Sequence, residues 1–268
     1  MKLISCHDGK LHALDASSRV ARRHAVDDRS AFRTGLEAFD ALPPGGALTR
    51  GAVHELLHAP GHPTSMFPAA WLAKCAAEQH AVIWSDPDHE LYPPALTALG
   101  IPLERVFLLH PASEADQIWA LAECLRCRGV AAVVAALPPR QRLTRVQARR
   151  LQLAAEQGGG VGLLMRSTSR SSGEHAAVTR WLVKPERGKR NVQRWRIQLI
   201  FGHGGQVGQA IILEHHRDRH AAATAAATAA TAAKPLLPYL AAHPVRPTAE
   251  LADRPAAARE KAARMAAG

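Results

Sequence analysis

The stretch that decides the fold class is Val130-Ala-Ala-Val-Val-Ala-Ala-Leu137, which is closed by two prolines. An unbroken apolar run of this length is typical of a strand that is buried on both faces of a parallel sheet. Similar short runs occur on either side of it, at residues 52–57, 81–85, 106–110 and 161–165. The chain therefore reads as an α/β protein.

Segments with helical spacing separate these runs, at residues 64–79, 91–99, 113–128 and 142–157. Ser113 is the expected N-cap of the third helix, and Thr64 or Ser65 that of the first. Alternation of strands and helices predicts βαβ units. After residue 165 three strands follow one another with turns alone, at 178–183, 194–201 and 209–214, which predicts an antiparallel C-terminal extension.

Composition divides the chain into three parts. Residues 1–33 are polar and mixed in charge, and we expect a loosely ordered arm. Residues 34–216 form the predicted core domain. Residues 217–268 are an Ala- and Pro-rich, low-complexity stretch with few large apolar side chains, which predicts a flexible tail.

The charge balance favours polyanionic partners. The formal net charge is +11 and the isoelectric point about 10.2, and such an excess attracts nucleic acid over long range. The N-terminus lacks a signal-peptide pattern, and no stretch approaches the ~20 apolar residues that a membrane span needs. Four cysteines are too few for a disulfide framework. We expect a cytoplasmic protein that does not contact a membrane.

A phosphate-binding loop is expected between the first buried strand and its helix, in the pattern GxxxxGK[ST]. The chain reads His58-Ala-Pro-Gly61-His-Pro-Thr64-Ser65 there. The first glycine is replaced by His58, the second by Pro63 and the lysine by Thr64, so Ser65 alone keeps the required chemistry. Proline also removes a backbone donor from the cradle. We therefore expect no ATP cofactor and no catalytic residue.

Two groups of motifs carry a resemblance to known families. The run TGLEAFDALPPGG at residues 34–46 and the following RGAVHE at 50–55 resemble the entry to the RecA core. The segment WSDPDHELYPP at 84–94, together with the pairs Arg180-Trp181 and Arg194-Trp195, more closely resembles the ImuA family, which are RecA-like accessory factors of bacterial translesion DNA synthesis. The resemblance covers about residues 34–216.

This resemblance implies a RecA-like three-layer core with a mainly parallel sheet. It places Asp88 where RecA has its catalytic glutamate and Ala136 where a magnesium-binding aspartate would stand. With Thr64 in place of lysine, three contributors to phosphoryl transfer are altered. The family implies a non-catalytic, SOS-linked, nucleoid-associated role beside an ImuB-like, Y-family-related protein and an error-prone polymerase subunit. Contact with RecA itself and with single-stranded DNA stays open.

Two basic clusters are the candidate nucleic-acid residues. The first lies along the helix predicted at 142–157 and just before it. The second lies in the C-terminal strands around Trp181 and Trp195. Either these tryptophans stack on bases beside phosphate-binding cations, or they pack into the core while the charges are merely solvated. The candidate residues are Arg140, Arg142, Arg145, Arg149, Arg150, Lys184, Arg187, Lys189, Arg190, Arg194 and Arg196.

Two further interpretations belong to other function classes. His54-Glu-Leu-Leu-His58 matches the zinc-peptidase motif HExxH, but that motif requires a helix and these residues lie in a predicted strand. A weak ATPase whose missing cation comes from a neighbouring subunit is the second. Both stay alternatives to the accessory role.

Overall fold

In the computed structural model, the described residues are 2–7, 10–13, 31–60, 66–77, 80–138, 141–168, 175–188 and 191–216. All of them belong to the first of two units, Met1–Thr224. The predicted tail at 217–268 lies outside these ranges. So do six of the candidate site residues, namely Gly61, Thr64, Ser65, Arg140, Lys189 and Arg190.

A ten-stranded sheet forms the centre of the described structure. Its strand order is β12-β11-β10-β5-β9-β8-β6-β7-β1-β2, and the seven strands from β10 to β1 run parallel. The strands are β1 (Lys2–His7), β2 (Lys10–Ala13), β5 (Ala52–His58), β6 (Ala81–Ser85), β7 (Val106–Pro111), β8 (Val130–Ala136), β9 (Val161–Ser167), β10 (Thr179–Glu186), β11 (Val192–Gly202) and β12 (Ala210–His216). A separate antiparallel pair joins β3 (Ala31–Phe32) to β4 (Leu48–Thr49).

Helices cover both faces of the parallel strands. The helices are α1 (Glu37–Asp40), α2 (Met66–Ala77), α3 (Pro93–Ala98), α4 (Glu114–Arg126) and α5 (Arg145–Gly158). Residues of α1, α2 and α3 share one buried cluster with Trp84, whereas α4 and α5 share a second cluster with Val133. The predicted three-layer α/β architecture is confirmed. Within the described ranges, no helix is both long and apolar enough to cross a bilayer.

The C-terminal strands leave the parallel pattern as predicted. β10 is parallel to β5, but β11 is antiparallel to β10 and β12 is antiparallel to β11. The β10–β11 and β11–β12 connections span only residues 187–191 and 203–209. Connections this short can join antiparallel strands but not parallel ones. The antiparallel extension is therefore confirmed.

The start of α5 differs from the sequence expectation. The basic helix predicted over 142–157 begins at Arg145, so Arg142 precedes it. Thr144 is the N-cap: its hydroxyl accepts from the Gln147 backbone N–H, and the Gln147 side chain accepts in return from the Thr144 backbone. This reciprocal capping box defines the first turn. The predicted Ser113 cap of α4 is confirmed, since its hydroxyl accepts from the Asp116 N–H.

The N-terminal segment also differs from the loosely ordered arm expected for 1–33. β1 lies parallel to β7, and β2 lies antiparallel to β1. A free edge of β7 would expose a row of unpaired backbone N–H and C=O groups, and strand addition satisfies them. Residues 14–30 lie outside the described ranges.

Candidate functional site

The segment predicted to be a degenerate phosphate loop starts at the carboxyl end of β5. His58 is the last residue of that strand, and its Nδ1 lies 3.0 Å from the carbonyl oxygen of Ala59. The next described element is α2, beginning at Met66. The strand-to-helix order that a phosphate loop requires is therefore present, with His58 in the position of the first loop glycine.

The turn after β6 contains the aspartate aligned with the RecA catalytic glutamate. Asp88 is exposed in this turn. Its neighbour Asp86 is buried, and the Asp86 carboxylate accepts hydrogen bonds from the backbone N–H groups of Glu90 and Leu91, at 3.0 and 3.1 Å. Asp86 therefore shapes the turn, and Asp88 projects into solvent.

The end of β8 is occupied by a side chain from α4. Gln117 is 1% exposed, and its Nε2 donates at 3.0 Å both to the Ser85 hydroxyl and to the carbonyl oxygen of Ala136. Ala136 is the position that the resemblance aligns with a magnesium-binding aspartate. The amide ties the ends of β6 and β8 together, which is a structural arrangement of neutral groups.

The HExxH motif lies in β5, as the strand prediction required. His54 is fully buried within a hydrogen-bonded chain. The Trp181 indole donates to the Thr179 hydroxyl at 2.7 Å, which leaves that hydroxyl to donate to His54 Nδ1 at 2.7 Å. His54 Nε2 then donates to the Thr49 carbonyl at 2.9 Å. A neutral imidazole with its proton on Nε2 satisfies every bond of this chain. Among the described residues, no group of His, Cys, Asp and Glu is placed to hold a metal.

Acid is expected to destabilise the protein through His54. Burial lowers the pKa of His54 from 6.5 to about 4, so the unfolded chain takes up this proton first as pH falls. Stability is retained above pH 6.5 and lost between pH 6.5 and 4, by about 3 kcal/mol at the lower end. His54→Gln should reduce this loss in urea unfolding at pH 7 and pH 4.5. An identical acid loss in the variant would contradict the assignment.

Glu55 is the centre of a buried ion-pair network that sequence reasoning missed. Its carboxylate is 1% exposed and accepts from Arg166 Nη1 and from Arg180 Nε, both at 2.9 Å. Because Glu55, Arg166 and Arg180 belong to β5, β9 and β10, the network bridges three neighbouring strands. The signal in the sequence was an acid inside an otherwise apolar strand, and such an acid requires partners.

The first basic cluster lies on and before α5. Arg142, Arg145 and Arg149 are exposed and Arg150 is half-buried. Arg149 lies 3.5 Å from the Glu156 carboxylate, and Arg150 lies 3.8 Å from that of Glu123. The structure thus brings four of the five predicted residues to one region.

The second basic cluster is on the same side of the sheet as α5. Val53 of β5 packs against α5, and Glu55, two residues further on, binds Arg180 from that same face. Alternation along β10 places Lys184 on this face, where Arg196 is its cross-strand partner. Both are exposed, as is Arg187, whereas Arg194 pairs with Glu214 at 2.9 Å.

The two tryptophans pack into the core, so the interpretation as base-stacking residues is wrong. Trp181 is 0% exposed and stacks on Phe39 at 4.7 Å between ring centroids. Trp195 is 7% exposed and stacks on Phe67 at 4.2 Å. Both project to the α1 and α2 side, because Trp181 is an odd number of residues from Lys184 along β10 and Trp195 is next to Arg196 along β11. Burial of large aromatic area outweighs any gain from exposing them.

A different aromatic group borders the basic face. Phe201 pairs with Arg180 across β10 and β11, and its ring meets His175 at 4.4 Å and His203 at 5.1 Å. These three rings line an open cleft of about 410 Å³, with Arg149 of α5 on the opposite wall. Burial and the nearby Arg180 lower the pKa of His175. The sequence offers no local signal for this group, since its members lie in separate elements.

Comparison with known proteins connects this architecture to two kinds of bacterial protein. The family model described as cell division inhibitor SulA matches residues 51–162. SulA of Edwardsiella piscicida is 30% identical, over 55% of this chain and 84% of that protein. Protein ImuA of Caulobacter vibrioides NA1000 is 28% identical, over 86% of this chain and 94% of that protein. The chain belongs to the ImuA-type family. ImuA of a second Caulobacter vibrioides strain aligns to the same extent.

The SulA and ImuA matches cover different parts of the fold. The segment shared with the SulA model runs from the residue before β5 into the start of β9, and so contains the central parallel strands. β10, β11 and β12 lie outside it, whereas the ImuA match covers most of the chain. The basic sheet face around Lys184 and Arg196 is therefore a feature outside the SulA-like segment.

Proposed function

We propose that this chain is a non-catalytic accessory factor of DNA damage tolerance, which acts in SOS-linked translesion synthesis. The observation that carries the proposal is the match to ImuA over 94% of that protein's length. As the family resemblance implies, its partners are an ImuB-like protein and an error-prone polymerase subunit, with RecA as a further candidate. The function is then exercised through surfaces that bind macromolecules.

The absence of catalysis is part of this proposal. Thr64 stands in the place of the phosphate-loop lysine and Pro63 in that of a glycine. The neutral Gln117 amide donates to the carbonyl oxygen of Ala136, the position at which an active RecA-like ATPase would need an aspartate. Phosphoryl transfer depends on positioning and on charge stabilisation, so these losses together support an inactive NTPase. Measurable ATP turnover by the purified chain would favour the subunit-shared ATPase instead.

The accessory role is tested by damage-induced mutagenesis. Deletion of the gene in its own bacterium should abolish the rise in mutation frequency after ultraviolet irradiation, and the gene supplied in trans should restore it. A pull-down from irradiated cells should recover the ImuB-like partner. Unchanged induced mutagenesis in the deletion strain would disprove the role.

We further propose that the basic sheet face contacts single-stranded DNA. Lys184 and Arg196 are adjacent and exposed, and the Phe201 cleft supplies rings for stacking. Changing both cations to glutamine should weaken binding of an oligothymidylate. It should also reduce the slope of log K against log salt by about 1.4, since each lost phosphate contact on a single strand contributes ~0.7.

The matched control for this DNA experiment is Lys74→Gln. Lys74 is exposed on α2, which covers the opposite face of the sheet. This variant should leave both the affinity and the salt slope unchanged. A salt slope that is equal in the double variant and the unchanged protein would remove the sheet face as a DNA-binding surface.

Inhibition of cell division is a second candidate function. The 30% identity to SulA of Edwardsiella piscicida, over 84% of that protein, favours it. Under this alternative the central segment acts on the division machinery. Overproduction of the chain would then cause filamentous growth without DNA damage, whereas the accessory role predicts normal cell length.

A further inference from the structure

An apolar groove runs along the outer surface of α5 beside the end of α4. It has a volume of about 470 Å³, and its walls are almost wholly carbon, because arginine side-chain stems lie along them. Its lining residues are Arg126, Arg145, Val146, Arg149, Arg150, Leu153 and Gln157. An open apolar groove on a helix surface is a feature that an isolated domain rarely keeps without a partner.

The exposed apolar side chains of this groove form one stripe. Val146 is 78% exposed, the highest value among the large apolar side chains described, and Leu153 is 40% exposed. They are seven residues apart, so they lie on one face of α5, with Arg149 and Arg150 between them. Apolar anchors at this spacing are the pattern by which one helix receives another.

The charge around the stripe selects the partner. Four arginines and no acidic side chain are among the described residues that line the groove. Glu123 contacts Arg126 and Arg150, and Glu156 contacts Arg149. Three of these arginines thus share two carboxylates, which leaves a formal excess of one positive charge among them. A complementary segment therefore presents carboxylates beside its apolar side chains.

The same groove is poorly suited to nucleic acid. A strand bound through its phosphates keeps its backbone hydrated and would leave Val146 and Leu153 in water, whereas a helix with aliphatic anchors would bury both. The Phe201 cleft, which shares Arg149 with this groove, is lined by aromatic rings, whereas the described lining residues of the groove include none.

We infer that the α4–α5 groove binds an acidic amphipathic helix of a partner protein, with Val146 and Leu153 contacting its apolar face and the arginines its carboxylates. This assignment rests on the proposed accessory role, because that role requires a protein partner. It gives the partner a chemical description, namely leucine-type residues at helical spacing flanked by glutamate or aspartate.

The test uses a fluorescein-labelled peptide made of three copies of the heptad Leu-Glu-Glu-Leu-Ala-Glu-Glu. Its anisotropy should rise on titration with the full chain, and a peptide with glutamine in place of every glutamate should bind more weakly. Val146→Asp and Arg149→Glu should each weaken binding about tenfold or more, as loss of a central contact does. Both residues are exposed, so Val146→Asp should leave the thermal unfolding curve unchanged. Arg149→Glu loses an exposed ion pair with Glu156 and should shift the curve only slightly.

Val207→Asp is the matched control, since Val207 is 55% exposed in the turn before β12 and should tolerate the change without effect on peptide binding. Equal peptide affinity in Val146→Asp and the unchanged chain would overturn the assignment. So would loss of oligothymidylate binding in Val146→Asp, which would mark a DNA surface. A shift from dimer to monomer in that variant would equally overturn it, because the groove would then bind a second copy.

The mutagenesis assay separates failure of the groove from failure of the accessory role. If the deletion strain keeps its induced mutagenesis, the accessory role is wrong. If deletion abolishes mutagenesis but the Val146→Asp gene restores it fully, the groove assignment is wrong and the accessory role stands. The inference expects that Val146→Asp restores little and that Val207→Asp restores it fully.

Discussion

Replacement of Glu55 by glutamine is expected to lower the free energy of unfolding by about 3 to 5 kcal/mol. The change keeps the shape of the side chain but removes the negative charge that Arg166 and Arg180 share at 2.9 Å each. Two guanidinium groups would then remain close together in a buried site without a carboxylate between them. Urea denaturation at neutral pH, followed by circular dichroism, measures the loss.

Glu123→Gln is the matched control for that experiment. Glu123 is also flanked by two arginines, Arg126 and Arg150, but its side chain is 34% exposed against 1% for Glu55. Water screens the exposed network, so we expect a cost below about 1 kcal/mol. Equal costs for the two variants would show that burial does not determine the strength of the Glu55 network.

Alanine at Gly158 is expected to cost about 3 kcal/mol, the upper end for overpacking a well-packed interior. Gly158 is the last residue of α5 and lies against α4. A Cβ atom there would stand 1.9 Å from the carbonyl oxygen of Leu125, which is backbone and cannot rotate away. The two helices must therefore separate, and the thermal midpoint should fall accordingly.

The neighbouring Gly159 provides the comparison. It has a φ of +78° as the C-cap of α5, and a Cβ atom there would meet nothing within 4 Å. Gly159→Ala should cost about 1 to 2 kcal/mol, from the left-handed backbone alone. A cost for Gly158→Ala no larger than this would contradict the close approach of α4 and α5.

Local sequence patterns were sufficient to predict most strands and helices of the core. Short, mainly apolar runs identified each of the parallel strands from β5 to β9, because a strand buried on both faces consists mostly of apolar side chains. The start of α4 was identified from its capping residue, whereas the cap predicted for the first helix at Thr64 or Ser65 lies outside the described residues. Ser113 was found in this way, whereas Thr144 with Gln147 is a capping box that the basic composition of 140–150 obscured.

Features that depend on distant contacts were not predictable from the sequence. Glu55 finds its partners 111 and 125 residues along the chain. Trp181 and Trp195 stand among basic residues in the sequence, yet strand alternation turns them to the opposite face, against Phe39 and Phe67. Which face of an antiparallel extension becomes covered depends on α1 and α2, and nothing near the tryptophans specifies that choice.

The position of β10 has a mechanical consequence. In the part of the sheet that the structure describes, it is the strand through which β11 and β12 join the parallel core, by its ladder with β5. A pulling force that a bound macromolecule exerts on β11 and β12 would therefore act on the hydrogen bonds between β5 and β10. The Glu55 carboxylate of β5 binds Arg180 of β10 and Arg166 of β9. These two ion pairs therefore add side-chain contacts that oppose the separation of β5 from either neighbouring strand.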